Sequence, residues 1–187
     1  MILPLDHHST HEFVVDLLSK DEIAIYPCDT IYGFIGKKGI SEDKIKDIKG
    51  RGDEKPFILL STLKLVKTLT TDFIPEDIKA LWPGPLTVIL NSITGGTIGV
   101  RVPNDDNLLR IIESLGAPIY STSVNRSGMP PMNRIDDIIL EFAASVPLIV
   151  DGGNIGNATA STILNIAVSP YKVLREGQVS IPDEYLA

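Results

Sequence analysis

The stretch Glu22-Ile23-Ala24-Ile25-Tyr26-Pro27-Cys28-Asp29-Thr30-Ile31-Tyr32-Gly33-Phe34 opens on a mostly apolar run and then turns polar. Ile23 to Tyr26 do not alternate apolar with polar, so Glu22–Pro27 reads as a strand covered on both faces. Such a strand needs helices to cover it. Ser9 or Thr10 is placed to cap a helix to Ser19, with Glu12 three residues after Ser9 as a capping box requires. Phe13, Val14, Leu17 and Leu18 give that helix one apolar face. Downstream, Ser41–Lys49 reads as a second helix, with Glu42 and Asp43 in its first turn and lysines later, a charge order that complements the helix dipole.

Working outward, strand and helix patterns interleave to the end of the chain. Phe57–Leu60, Leu86–Leu90, Thr97–Val102, Pro118–Ser121, Leu148–Asp151, Ser161–Leu164 and Lys172–Gly177 read as strands. Short helices are expected from Ser61 or Thr62 to Leu69, over Pro75–Leu81, from Asn104 or Asp105 to Leu115, and from Asn133 or Asp136 to Ala144. Gly116 supplies a helix stop. Leu86–Leu90 and Thr97–Val102 are close enough to form a hairpin, which favours a mixed sheet over a parallel one. The expectation is one α/β domain over residues 1–187, with a sheet of roughly seven strands.

Composition narrows the function. The 187 residues are 43% hydrophobic and 22% charged, an ordinary globular balance. The net charge of −7 argues against broad nucleic-acid binding driven by total charge. The single cysteine, Cys28, excludes an internal disulfide and fits a reducing cytoplasm. His7, His8 and His11 cluster without a nearby thiol and read as a water-facing helix start, so no metal site is expected. No signal peptide is visible, and no run approaches the ~20 apolar residues of a membrane span.

Four stretches place hydroxyls, amides or cations beside strand ends. They are the Thr30/Tyr32 turn, the loop Lys49-Gly50-Arg51-Gly52-Asp53-Glu54-Lys55-Pro56-Phe57, the Ser121/Ser123/Asn125 loop, and the Ser161/Thr162 turn. Arg101 and Arg175 add cations on strands. Alternation puts the Arg101 side chain opposite Val100 and Val102, on a wet face or in a pair. No Ser-His-Asp set, paired acids or Walker-type loop is present. A donor-rich site without a strong base suits chemistry on phosphate, where positioning and charge stabilisation carry most of the rate. Each stretch also has a plain structural reading: a charged turn, turn-forming serines, a core tyrosine, an ion pair, and an inert buried thiol at Cys28.

Taken in order, Tyr26-Pro27-Cys28-Asp29-Thr30-Ile31-Tyr32-Gly33, Lys49-Gly50-Arg51 with Lys55-Pro56-Phe57, Trp82-Pro83-Gly84-Pro85-Leu86-Thr87, Val100-Arg101-Val102-Pro103, Ser121 to Gly128, Ser161-Thr162-Ile163 and Leu174-Arg175-Glu176-Gly177 are similar to the motif series of the YrdC family, the threonylcarbamoyl-AMP synthases. The resemblance covers roughly Glu22 to Gly177. It implies an open, strongly twisted mixed sheet with helices packed around it and a large concave cleft. It implies a nucleotidyltransferase that joins L-threonine, bicarbonate and ATP, with Mg²⁺, into threonylcarbamoyl-adenylate and pyrophosphate. Downstream proteins then transfer the group to tRNA, and tRNA or double-stranded RNA is a further candidate occupant of the cleft. Lys49, Arg51, Ser123 and Asn125 match the catalytic and nucleotide-binding positions, joined by Lys55, Ser121 and Arg175. Thr30, Tyr32, Arg101 and Ser161 match the threonine positions. Cys28 stands where relatives often carry threonine. An RNA-binding module, or a YciO-like paralogue acting on a related adenylate or RNA, is the alternative reading.

Overall fold

The chain is described by a computed structural model that covers residues 1–39, 41–50, 52, 57–156 and 159–186. Its strands are β1 (Ile2–Pro4), β2 (Ile23–Pro27), β3 (Tyr32–Lys37), β4 (Ile58–Leu60), β5 (Leu86–Asn91), β6 (Thr97–Arg101), β7 (Ile119–Ser123), β8 (Leu148–Asp151), β9 (Thr162–Asn165) and β10 (Lys172–Arg175). Its helices are α1 (Thr10–Ser19), α2 (Ser41–Lys49), α3 (Leu63–Val66), α4 (Glu76–Lys79), α5 (Asp106–Leu115) and α6 (Ile135–Phe142), with a one-turn 3₁₀ helix at Asp183–Tyr185. The strands make one ten-stranded sheet in the order β1-β8-β2-β3-β7-β4-β6-β5-β9-β10. It is mixed, as the β5–β6 hairpin predicts: β5 pairs antiparallel with β6 and parallel with β9. Among the described residues no helix is long and apolar enough to cross a membrane.

The sheet has ten strands where roughly seven were expected: the eight stretches read as strands all form, and β1 and β3 join them. β1 is three residues long and sits on a sheet edge, held parallel to β8. β3 contains Gly33 and Gly36, poor strand formers that hide it in the sequence. Antiparallel pairing to β2 on one side and β7 on the other imposes the conformation from outside. The same force carries β7 through Ser123, past the expected end at Ser121.

Helix ends also shift. α1 begins after Ser9, whose side chain makes no cap hydrogen bond, so the capping box does not form. α3 and α4 are single turns, α4 starting after Pro75. α6 begins at Ile135 rather than at an Asn133 cap, because the Asn133 side chain is used elsewhere, accepting from the backbone N–H of Tyr32 at 3.1 Å. α5 follows expectation: Asp105 accepts from the N–H groups of Asn107 and Leu108, and Gly116 closes the helix at φ 61°.

Three apolar clusters cover the sheet. Val14 and Leu18 of α1 join Leu108, Ile111 and Ile112 of α5 over Ala24, Tyr26, Ile35 and Ile119. On the other face Ile45 of α2 and Ile138 and Phe142 of α6 cover Ile23, Ile25 and Phe34, with Phe34 and Phe142 edge to face at 5.1 Å. Val66, Ile78 and Trp82 cover Leu59, Val88, Val100 and Leu164. Side chains alternate along these strands, so Thr87, Gly99, Ser121 and Ile163 turn to the face opposite the third cluster. There, among the described residues, no helix covers the strands, several of the residues are small or polar, and a cavity opens instead of a core.

Candidate active site

The cavity has a volume of about 910 Å³ and runs across β3, β7, β4, β6, β5, β9 and β10, which are consecutive in the sheet. Thr30, Tyr32, Lys49, Arg101, Ser121, Ser123, Asn125, Ser161 and Arg175 all line it. The two remaining predicted positions, Arg51 and Lys55, lie outside the described residues. Residues far apart in sequence converge because their strands are neighbours: Ser121 pairs with Ile58, and Ile58 with Gly99.

One region of the cavity is built on Arg101, at the end of β6 and only 5% exposed. Its Nη1 donates to Thr30 Oγ1 at 3.0 Å. Its Nη2 lies 3.0 Å from Asp29 Oδ1. That contact is ionic rather than a directed hydrogen bond, and Asp29 Oδ1 and Arg101 Nε have no hydrogen-bond partner among the described residues. Asp29 Oδ2 accepts from the N–H of Asn104. Arg101 is therefore paired, one of the two states its strand position allowed. Thr30 Oγ1 accepts from a guanidinium, which leaves its own proton to be donated.

Beside it, Arg175 donates from Nε to the Ser161 carbonyl at 3.0 Å and from Nη2 to Ser161 Oγ at 3.1 Å. Ser161 Oγ also meets Thr87 Oγ1 at 2.8 Å. Burial, and then the nearby charge of Arg101, hold the Arg175 pKa below its ordinary value. Two guanidiniums thus sit close enough to repel, an arrangement that an anion between them would relieve.

The third part is a knot around Lys49, the last residue of α2. Lys49 is 3% exposed, and its ammonium donates to the Ser123 carbonyl, to the Asn125 carbonyl at 3.0 Å and to Asn125 Oδ1 at 2.9 Å. Ser123 Oγ donates to the same Oδ1 at 2.6 Å, and Asn125 Nδ2 donates to the carbonyls of Arg126 and Met129. Arg126 ties the loop back to α2 by donating to the Ile48 carbonyl. The three residues build the 123–129 loop from within. Lys49 supplies positive charge from beneath it, while its N–H groups point at the loop.

Tyr32 contributes less than its ring suggests. Its hydroxyl donates to the Gly153 carbonyl at 2.8 Å and accepts from the Gly152 N–H at 2.9 Å, and its ring lies in the second apolar cluster. Cys28 is buried, which pushes its thiol up to about 12 and keeps it neutral; the Arg101 charge only partly opposes this. Its sulfur lies 4.0 Å from Ser121 Oγ. A Cβ at Gly33 would stand 3.0 Å from Ser121 Oγ and 3.2 Å from Cys28 Sγ, so the floor here has no room for a side chain. Sequence reasoning did not single out Asp29 or Thr87 as site residues. A buried threonine in a strand carries no local signal, and the acid's partner arrives from a distant strand.

The open mixed sheet carries this cation- and hydroxyl-bearing cavity on seven consecutive strands, and its fold is shared with solved Sua5 and YciO structures. The family model described as Sua5_yciO_yrdC, telomere recombination, matches residues 16–177, and the chain belongs to this Sua5/YciO/YrdC family. A threonylcarbamoyl-AMP synthase of Pyrococcus abyssi (strain GE5 / Orsay) is 30% identical over 183 residues, 89% of this chain and 53% of that protein. One from Bacillus subtilis (strain 168) is 31% identical over 182 residues, 88% of this chain and 52% of that protein. The chain spans about half the length of these two relatives. The structure of P. abyssi Sua5 complexed with L-threonine superposes with a TM-score of 0.85 at 25% identity, covering 95% of this chain and 57% of that one. Escherichia coli YciO shares the fold at a TM-score of 0.79 and 24% identity, covering 95% of this chain and 93% of that one.

Proposed function

We propose that the cavity is the active site of a nucleotidyltransferase that makes threonylcarbamoyl-AMP and pyrophosphate from L-threonine, bicarbonate and ATP. The observation that carries this reading is the juxtaposition of Arg101 and Arg175 around Thr30 and Ser161 within the same cavity as the Lys49–Ser123–Asn125 knot. The first group offers the cations and hydroxyls that a small anionic, hydroxylated ligand needs. The second offers a buried positive charge under a loop, suited to a polyphosphate. The relatives named threonylcarbamoyl-AMP synthase, and the threonine complex of P. abyssi Sua5, support the same assignment.

In this reading the threonine amine attacks bicarbonate to give a carbamate and water. A carbamate oxygen then attacks the α-phosphorus of ATP, and pyrophosphate leaves. The nucleophile is already an anion, so no strong protein base is needed. The barrier lies in bringing two anions together, which cations offset. Arg101 and Thr30 orient the amino acid with Ser161. Arg175, Ser121 and the 123–129 loop hold the nucleotide. Lys49 acts through its field and by fixing Asn125. Arg51 and Lys55 join the phosphate side on the strength of the family motif. Mg²⁺ enters with ATP as part of the substrate; among the described residues no group of three or more His, Cys, Asp or Glu is placed to hold a metal ion. The adenylate product requires consumption by a tRNA-modifying transfer system, and we place the reaction in the cytoplasm.

The test is pyrophosphate release from purified protein given Mg²⁺–ATP. Release that requires both threonine and bicarbonate is the expected result. Release that ignores either one removes the synthase reading and leaves a paralogous activity on a related adenylate.

A further inference from the structure

Thr87 lies in β5 with 1% of its surface exposed, beside an equally buried Ser161, and both border the cavity. Their hydroxyl oxygens are 2.8 Å apart, and Arg175 Nη2 donates to the Ser161 oxygen at 3.1 Å. Three donor protons therefore enter this chain: one from the guanidinium and one from each hydroxyl. Arg175 uses the Ser161 oxygen. One hydroxyl proton occupies the Thr87–Ser161 contact. The other hydroxyl proton has no acceptor among the described residues, whichever way that contact is oriented. Donation from a guanidinium into the chain also polarises the hydroxyls and makes the last proton a better donor. The remaining proton is therefore available to an acceptor in the cavity, and a positively polarised donor favours an anionic one.

We propose that Thr87 is a positioning residue for an anionic ligand oxygen, acting with Ser161 to hold the outgoing hydroxyl proton in one direction. The identity of that oxygen, the carboxylate of L-threonine, rests on the synthase reading; a phosphate oxygen of ATP is the other source of the same chemistry. A threonine serving only to fill the strand's packing would make no such demand on the hydroxyl. Thr87→Val keeps the shape and removes the hydroxyl, whereas Thr87→Ser keeps the hydroxyl.

Calorimetric titration of the whole chain with L-threonine and, separately, with Mg²⁺–ATP tests the proposal, with thermal melts recorded for each variant. Thr87→Val is expected to bind threonine about tenfold more weakly, the equivalent of one hydrogen bond. Thr87→Ser is expected to restore the wild-type affinity, with ATP binding unchanged in both. A loss confined to ATP in Thr87→Val, restored in Thr87→Ser, keeps Thr87 as the positioning residue and moves the oxygen to phosphate. Thr87→Val binding both ligands like wild type, or Thr87→Ser failing together with Thr87→Val, overturns the proposal. If the wild-type chain binds ATP but no threonine, the synthase reading falls while the ATP arm still decides the role of Thr87. If it binds neither, both fall.

Discussion

Arg101 ends β6, after Ile98, Gly99 and Val100, and its side chain stays inside the protein. Its charge is held by Asp29, each side chain being 6% exposed. Taking two charges out of water is expensive, and a pair of this kind contributes little net stability while both members are present. Removing one member is a different matter, because the other stays buried and uncompensated. Asp29→Ala is therefore expected to lower the unfolding free energy by about 3–5 kcal/mol, measured by urea denaturation. The double variant Asp29→Leu with Arg101→Met removes both charges and is expected to recover most of that loss without recovering threonine binding. A destabilisation by Asp29→Ala within 1 kcal/mol or so would place the pair on the wet side of the boundary. The imperfect geometry has a functional reading at the same scale. With Asp29 Oδ1 off the hydrogen-bond direction, Arg101 is held electrostatically but not saturated, and Thr30 keeps a proton to give.

At the scale of elements, the Ser161 turn is fixed by its neighbour in the sheet. β10 leaves β9 at Arg175, where the register slips, and Gly177 then passes directly over residues 160–162. A Cβ there would lie 2.4 Å from Thr162 N and 2.5 Å from Ala160 O, contacts with backbone that no rotamer change relieves. Gly177→Ala is expected to cost about 1–3 kcal/mol of stability, as overpacking does. Because the atoms it displaces carry Ser161, threonine binding should fall further than stability explains. Calorimetry on the folded variant checks this, and unchanged affinity would uncouple the turn from β10. The same contrast between local and imposed structure explains what was legible in the chain. The span Ser41–Lys49 was readable because its signals are local: acids in the first turn and lysines in the last; Ser41, expected as the cap, is instead the first helical residue and donates to the Lys37 carbonyl. β2 announced itself by an apolar run, and all five of its residues are buried. β3 did not, since Gly33 and Gly36 carry no strand preference and pairing to two distant strands imposes one. Ser121 and Ser123 looked like turn formers for the same reason. Among site residues, the loop and turn positions were readable as donors in unusual places. What each one touches was not: Lys49 donates to the 123–129 loop, Tyr32 meets Gly152 and Gly153, and Thr87 joins Ser161 across paired strands.

At the scale of the whole molecule, the distribution of charge decides between a small-anion site and an RNA surface. The chain carries a net charge of −7. Of the cations on the described cavity wall, Lys49 is sunk under a loop, Arg101 is paired with Asp29, and Arg175, though exposed, is tied to Ser161. Lys49 and Arg101 are enclosed, and all three have specific partners. They can meet a carboxylate or a phosphate chain that enters the cavity, and their low-dielectric surroundings strengthen that contact. A duplex presents its phosphates on a broad convex surface and is held by many solvent-facing Lys and Arg contacts, each releasing a counterion. Among the described residues the cavity wall offers few solvent-facing cations for such contacts, and the net negative charge repels the duplex at long range. The expected outcome is no saturable complex with a short RNA duplex at about 150 mM salt and up to about 10 μM protein, measured by fluorescence anisotropy. ATP binding should persist under the same conditions, because enclosed charges are screened much less than exposed ones. A saturable RNA complex whose affinity falls steeply with salt, the slope reporting several phosphate contacts, would instead make the cavity rim a nucleic-acid surface.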